Sequence, residues 1–89
     1  MISGSMSFGQ VLRKFREKRG LRSKFVAERM CMTPQTYSNL ENGRKKFHLH
    51  DLDTLAEILS VPKDIMYVAA HIVEPDRRDK VITEYLEGL

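Results

Sequence analysis

The chain has 89 residues, a net charge of +3 and one cysteine, Cys31, with ordinary Gly, Pro and apolar content. That supports one globular domain and excludes a disordered chain or a disulfide framework. No stretch is apolar enough to span a bilayer and no charged segment precedes an apolar run as in a secretion signal, so no membrane partner is expected and the expected compartment is the cytoplasm.

The charge is unevenly placed. Residues 1–47 carry eleven cations and three acids, whereas residues 48–89 carry four cations and nine acids. A polyanion partner is expected for the first half.

Residues 1–6 read as a flexible leader, and Gly4-Ser5 before Met6 looks like a cloning remnant. Ser7 and Gln10 fit a capping box at the start of a first helix. Phe8, Val11, Leu12 and Phe15 then fall on one face, and Gly20 is placed to end the helix. A second helix is predicted over about 23–30, with Val26, Ala27 and Met30 inward and Phe25 off that stripe. Thr33 is a good N-cap and Pro34 a good first residue for a third helix. Tyr37 and Leu40 point inward from it. The fourth helix is predicted from Leu49 to about Leu59, with Leu52, Leu55, Ala56 and Leu59 buried and Asp51 and Asp53 in its first turns. Val61-Pro62 breaks it. A fifth helix runs to about Ala70. Pro75 opens a sixth, with Val81, Ile82, Tyr85, Leu86 and Leu89 as an apolar stripe and Arg77, Arg78 and Lys80 on its polar remainder. No strand-like alternation occurs, so the predicted class is all-α.

Residues 33–46 are the most informative segment. A capped helix start is followed by Gln35, Thr36, Ser38, Asn39 and Asn42, all uncharged hydrogen-bonding groups. An exposed helix face usually carries Glu and Lys instead. Gly43 ends the helix, and Arg44, Lys45 and Lys46 follow at once. Short polar groups suit base edges, and cations suit phosphates.

Residues 8–66 resemble the helix-turn-helix domain of the Cro/C1-type phage repressors, the Xre family. The resemblance rests on Arg16, Arg19, Gly20 and Leu21, on Val26-Ala27, on Thr33 and Tyr37-Ser38, on Leu40-Glu41-Asn42-Gly43-Arg44, and on Leu55-Ala56 with Leu59 and Val61. It implies a five-helix lambda-repressor-like domain over 7–70, with its motif at about 23–42; the segment 71–89, with the sixth helix read above, follows it. These repressors are the type case in which the second helix of the motif lies in the major groove and the first crosses the backbone.

On that resemblance Gln35 and Asn39 read bases in double-stranded DNA. Pro34 matches a third reading position but offers only apolar contact, and Thr36 and Ser38 are secondary readers. Asn42, Arg44, Lys45 and Lys46 match the loop that grips the sugar–phosphate chain, joined by Thr33 at the helix N-terminus. Arg16 and Glu41 match an internal salt bridge. The second helix departs from the family, having Arg22-Ser23 where a capping Ser or Thr and a Gln usually stand. Ser23 is then a shifted cap or a weak phosphate ligand, and Arg22 and Lys24 are substitute phosphate contacts. The following turn has Cys31 where Gly is usual, which implies strain or an altered turn.

The expected function is a sequence-specific regulator, a repressor binding a palindromic operator as a homodimer. The alternative is an antitoxin or antirepressor module whose partner is a protein and whose DNA binding serves autoregulation. The sixth-helix stripe is the candidate dimerisation element, or else it packs back on its own domain. No enzyme and no cofactor are expected. His48, His50 and His71 do not make a metal set, since His48 and His50 on one helix would point apart. Cys31 has no resolving partner and reads as a plain thiol, buried or half-buried.

Overall fold

The computed structural model describes residues 6–73 and 75–89. The predicted leader up to Ser5 lies outside the described residues. Helices α1 (Phe8–Lys18), α2 (Ser23–Arg29), α3 (Pro34–Glu41), α4 (Leu49–Leu59), α5 (Lys63–Ala69) and α6 (Arg78–Glu87) follow in order, with a 3-10 turn at Pro75–Arg77 leading into α6. No strand occurs among the described residues, and the predicted all-α class holds.

The helix starts are set locally. Ser7 caps α1: its hydroxyl accepts from the Gln10 amide at 3.2 Å, and its own amide donates to the Gln10 side chain at 2.8 Å. Thr33 caps α3 by accepting from the Thr36 amide at 3.1 Å. At α4 the His48 amide donates to the Asp51 carboxylate at 3.1 Å. Helix α2 has no such cap. Its N-cap is Arg22, whose side chain makes no capping bond, and Ser23 is already helical. The shifted cap expected of Ser23 is therefore absent, because its hydroxyl sits one residue too late to reach the orphan amides.

The helix ends share one device. Backbone amides close back onto α1 through α5 at Gly20, Cys31, Gly43, Ser60 and His71, all with positive φ. After α2, for example, Cys31 donates to the Glu28 carbonyl and Met32 to that of Ala27, the pattern that satisfies the last helical carbonyls. Cys31 holds φ 59°, so the turn keeps its left-handed form without glycine, and the thiol is exposed rather than half-buried.

One core joins Val11, Leu12 and Phe15 of α1 to Tyr37, Leu40, Leu52, Leu55, Leu59 and Met66. Helix α6 closes it, packing on α1 and α5. Ile82 and Leu86 are buried, Val81 and Tyr85 pack against the core, and Tyr85 meets Phe15 edge-on at 5.7 Å. The stripe expected to dimerise thus covers this chain's own core and leaves Leu89 as its one exposed large apolar residue. The reason is that α6 lies across α1 and α5 and fills the apolar space between them.

Two arginines tie these helices together. Arg19 donates to the carbonyls of Leu59 at 2.9 Å and Ser60 at 2.6 Å, a cation on the C-terminus of α4. Arg78, expected on the polar face of α6, is instead 2% exposed. It donates to the carbonyls of Ala69 and Met6 and to the Asp79 carboxylate. Position 78 is the first turn of α6, where the helix crosses the end of α5, so a long side chain there is trapped between them.

Candidate nucleic-acid interface

Helix α3 is held from beneath and left bare above. Tyr37 and Leu40 anchor it in the core, and α2 and α1 pack against it. On its outer face Gln35, Ser38, Asn39 and Asn42 line up at helical spacing. The Gln35 amide donates to the Asn39 carbonyl oxygen at 3.2 Å, and the Asn42 amide donates to the Ser38 hydroxyl at 3.3 Å. These links align the outer amides along the helix before any ligand arrives. Pro34 is exposed at the N-terminal edge of this face, and Thr36 is half-buried. Thr36 also accepts a hydrogen bond from the Thr33 hydroxyl at 2.9 Å.

The basic loop hangs on the same helix. Asn42 is the C-cap and Gly43 turns the chain at φ 79°. The amides of Arg44 and Lys45 then donate to the backbone carbonyl of Asn39 at 2.8 and 3.2 Å. Asn39, on the outer face of α3, thereby also fixes where the cations stand. Arg44, Lys45 and Lys46 are exposed. Phe47 closes the loop by packing edge-on against Phe8, ring centroids 4.7 Å apart. Arg22 and Lys24 are exposed at the start of α2, and Ser23 is half-buried between them.

Beneath the loop lies an ion pair. Arg16 reaches Glu41 through two parallel bonds, 2.8 and 3.2 Å, and donates a third to the Leu21 carbonyl at 3.0 Å. Glu41 therefore has its charge paired beside the basic loop. The hydrogen bond to Glu41 raises the Arg16 pKa above its ordinary value, against the opposing cost of burial. The Tyr37 ring is fully buried under this pair. Its hydroxyl lies near the Glu41 carboxylate but makes no hydrogen bond among the described residues. Burial first, and then that carboxylate, push the phenol far above its usual range.

Gly9 has no counterpart in the sequence reading. A Cβ at this position would sit 2.1 Å from the Glu41 carbonyl oxygen and 2.9 Å from that of Leu40. Helix α1 thus touches the backbone at the C-terminal end of α3 and fixes how far α3 stands from it. Arg16, Arg19 and Arg13 are engaged by Glu41, by the end of α4 and by Glu17. Arg16 and Arg19 thus tie the fold together, while Arg13 pairs with Glu17 on the surface of α1 and Arg44, Lys45 and Lys46 are presented outward. A signal for Gly9 existed, since it stands inside a helix where glycine costs stability relative to Ala.

His48 and His50 stand differently from expectation. His48 and His50 are stacked, ring centroids 5.7 Å apart and 9° from parallel. His48 is the extended N-cap rather than a helical residue, so the helical i, i+2 divergence does not apply to it. His71 lies at the end of α5 in the left-handed turn. Among the described residues no group of three or more His, Cys, Asp or Glu side chains is placed to hold a metal ion, and no helix is long and apolar enough to cross a membrane.

A family model described as a helix-turn-helix domain matches residues 7–65. No curated protein and no solved structure matches the chain significantly. The matched span runs from the cap of α1 into α5 and contains α2, the Cys31 turn and α3. The chain belongs to the helix-turn-helix domain family.

Proposed function

We propose that this chain is a Cro/C1-type transcriptional regulator, a repressor that binds a palindromic operator as a homodimer with α3 in the major groove. The observation that supports it best is the coupling of two surfaces through Asn39. Its half-buried side chain bonds the exposed Gln35 amide on the outer face of α3, and its backbone carbonyl holds the amides of Arg44 and Lys45. Gln35 and Asn39 are the main base readers in this reading, because a side-chain amide can bond adenine N6 and N7 together. Thr36, Ser38 and Pro34 border them. Asn42, Arg44, Lys45, Lys46, Thr33, Arg22, Ser23 and Lys24 face the sugar–phosphate chains and set register without reading sequence. Membership of the helix-turn-helix family supports DNA as the ligand class, and the outward cations suit it.

The test is selection of binding sites from random duplex DNA with the full chain, followed by affinity measurement on the recovered sequence. A recovered inverted repeat, bound at least about a thousandfold more tightly than unrelated DNA, is the expected result. Recovery of no common sequence would remove the specific-regulator reading.

A further inference from the structure

We propose that Asn42-Gly43 is a self-modification site: the free chain loses ammonia at Asn42, which puts a negative charge into the basic loop, and bound DNA slows the loss. The modification stands on the chemistry of the loop alone. Its effect on DNA rests on the functional reading above.

The chain has two asparagines, Asn39 and Asn42, in opposite settings. Asn39 lies within α3 and is followed by Leu40, which is buried in the core. Asn42 is the exposed C-cap and is followed by Gly43 at φ 79°. A Cβ built on Gly43 would meet nothing within 4 Å, so its nitrogen stands in open space with no side chain over it.

The reaction needs only water. The Gly43 nitrogen gives its proton to water and attacks Cγ of Asn42. The new C–N bond closes a five-membered succinimide, the Cγ–Nδ2 bond breaks, and Nδ2 takes a proton from water and leaves as ammonia. A further water opens the ring at one carbonyl or the other, leaving aspartate or isoaspartate at position 42.

At ψ 0° the Gly43 nitrogen is turned away from the Asn42 side chain, so closure needs rotation about that bond. Two weak restraints oppose it. The Gly43 amide donates to the Leu40 carbonyl at 3.3 Å, and the Asn42 side-chain amide donates to the Ser38 hydroxyl at 3.3 Å. Both bonds are longer than usual. The rotation also frees the Arg44 and Lys45 amides from the Asn39 carbonyl. Exposed segments held this lightly open at low cost. DNA gripped by Arg44 and Lys45 favours the closed loop and therefore slows the reaction.

The product opposes that grip. Arg16 is already paired with Glu41 and is not available to a new carboxylate beside it. Isoaspartate also adds a carbon to the main chain before Gly43, which shifts Arg44 and Lys45 away from the Asn39 carbonyl.

The test incubates the full chain at mildly alkaline pH and follows its mass, with peptide mapping and an isoaspartate-specific methylation assay to place the change. Asn42 should convert to both products while Asn39 stays intact. Affinity for the selected duplex should fall about tenfold or more as conversion proceeds, and Asn42→Asp should show a like loss from the start. Asn42→Gln, whose longer side chain closes a ring poorly, should keep its own initial affinity through the same incubation. Duplex at a hundred times Kd should slow conversion about a hundredfold. An intact Asn42 in the full chain, over a time in which a short peptide of residues 39–46 converts, would show that the folded loop does not open and would overturn the site. Conversion at the same rate with and without bound duplex, or with no loss of affinity, would overturn the link to DNA. A chain that binds no duplex would remove that link together with the regulator reading, while the mass measurement still decides the site.

Discussion

Gln35 and Asn39 hydrogen-bond to each other, amide to amide, at 3.2 Å across one turn of α3. Two side chains that touch in the free protein do not act independently on a ligand. A Gln35→Ala change should relax preference at one base pair by about 1–3 kcal/mol, and Asn39→Ala at its neighbour by a similar amount. The double variant should fall short of the sum by about 0.5 kcal/mol or more, since each single change also frees the other amide. Competition binding against single-base variants of the selected site measures all three. Strict additivity would mean that the contact carries no orienting role.

The basic loop predicts a different signature. Arg44→Ala or Lys45→Ala should weaken binding to every sequence alike. The slope of log affinity against log salt should flatten by about one unit for each phosphate contact removed. A variant with the parent's salt slope would strike that residue from the phosphate-facing set.

Gly9 sits where α1 meets the backbone at the C-terminal end of α3. In Gly9→Ala the new methyl would meet backbone at the Glu41 carbonyl, which cannot rotate away. Overpacking of this kind costs about 1–3 kcal/mol, even though alanine favours a helix. Urea unfolding should show the loss. A neutral or stabilised variant would show that α1 and α3 separate freely.

Tyr37 sets an alkaline limit. Its phenol is raised in the folded chain, mainly by burial. Below the ordinary tyrosine value of about 10 both folded and unfolded states keep the proton and the stability is fully present. Above it the unfolded chain ionises first, and stability falls by up to about 1.4 kcal/mol per pH unit. Tyr37→Phe should remove that component and be neutral or mildly stabilising at pH 7, because it deletes an unpaired buried hydroxyl. Urea midpoints at pH 7, 10 and 11 for both chains check this. An unchanged alkaline slope in the variant would locate the limit elsewhere.

Cys31 holds a left-handed backbone that a side chain disfavours by about 1–2 kcal/mol. Cys31→Gly should raise stability by up to about 1 kcal/mol after glycine's own entropy cost, and Cys31→Val should lower it. Thermal unfolding of the three chains should rank them Gly, Cys, Val. The reverse order would mean that the turn relaxes when the residue changes.

The helices and the caps of α1 and α3 were legible in the sequence, because capping and amphipathic spacing are decided within four or five residues; the cap of α2 was not. Ser7 with Gln10, Thr33 with Pro34, and the limits of α4 are all of this kind. The left-handed turn after α2 also showed in the sequence as an anomaly, though the exposure of its thiol did not. What only the tertiary structure decided depends on which element lies opposite. Arg19 reaches carbonyls 40 and 41 residues away, and Arg78 meets Met6 72 residues back. The closeness of α1 to Glu41 explains Gly9, and the cleft between α1 and α5 turns the α6 stripe inward. Local pattern says that a face is apolar. It does not say whether this chain or a second one will cover it, because that depends on the space the other helices leave.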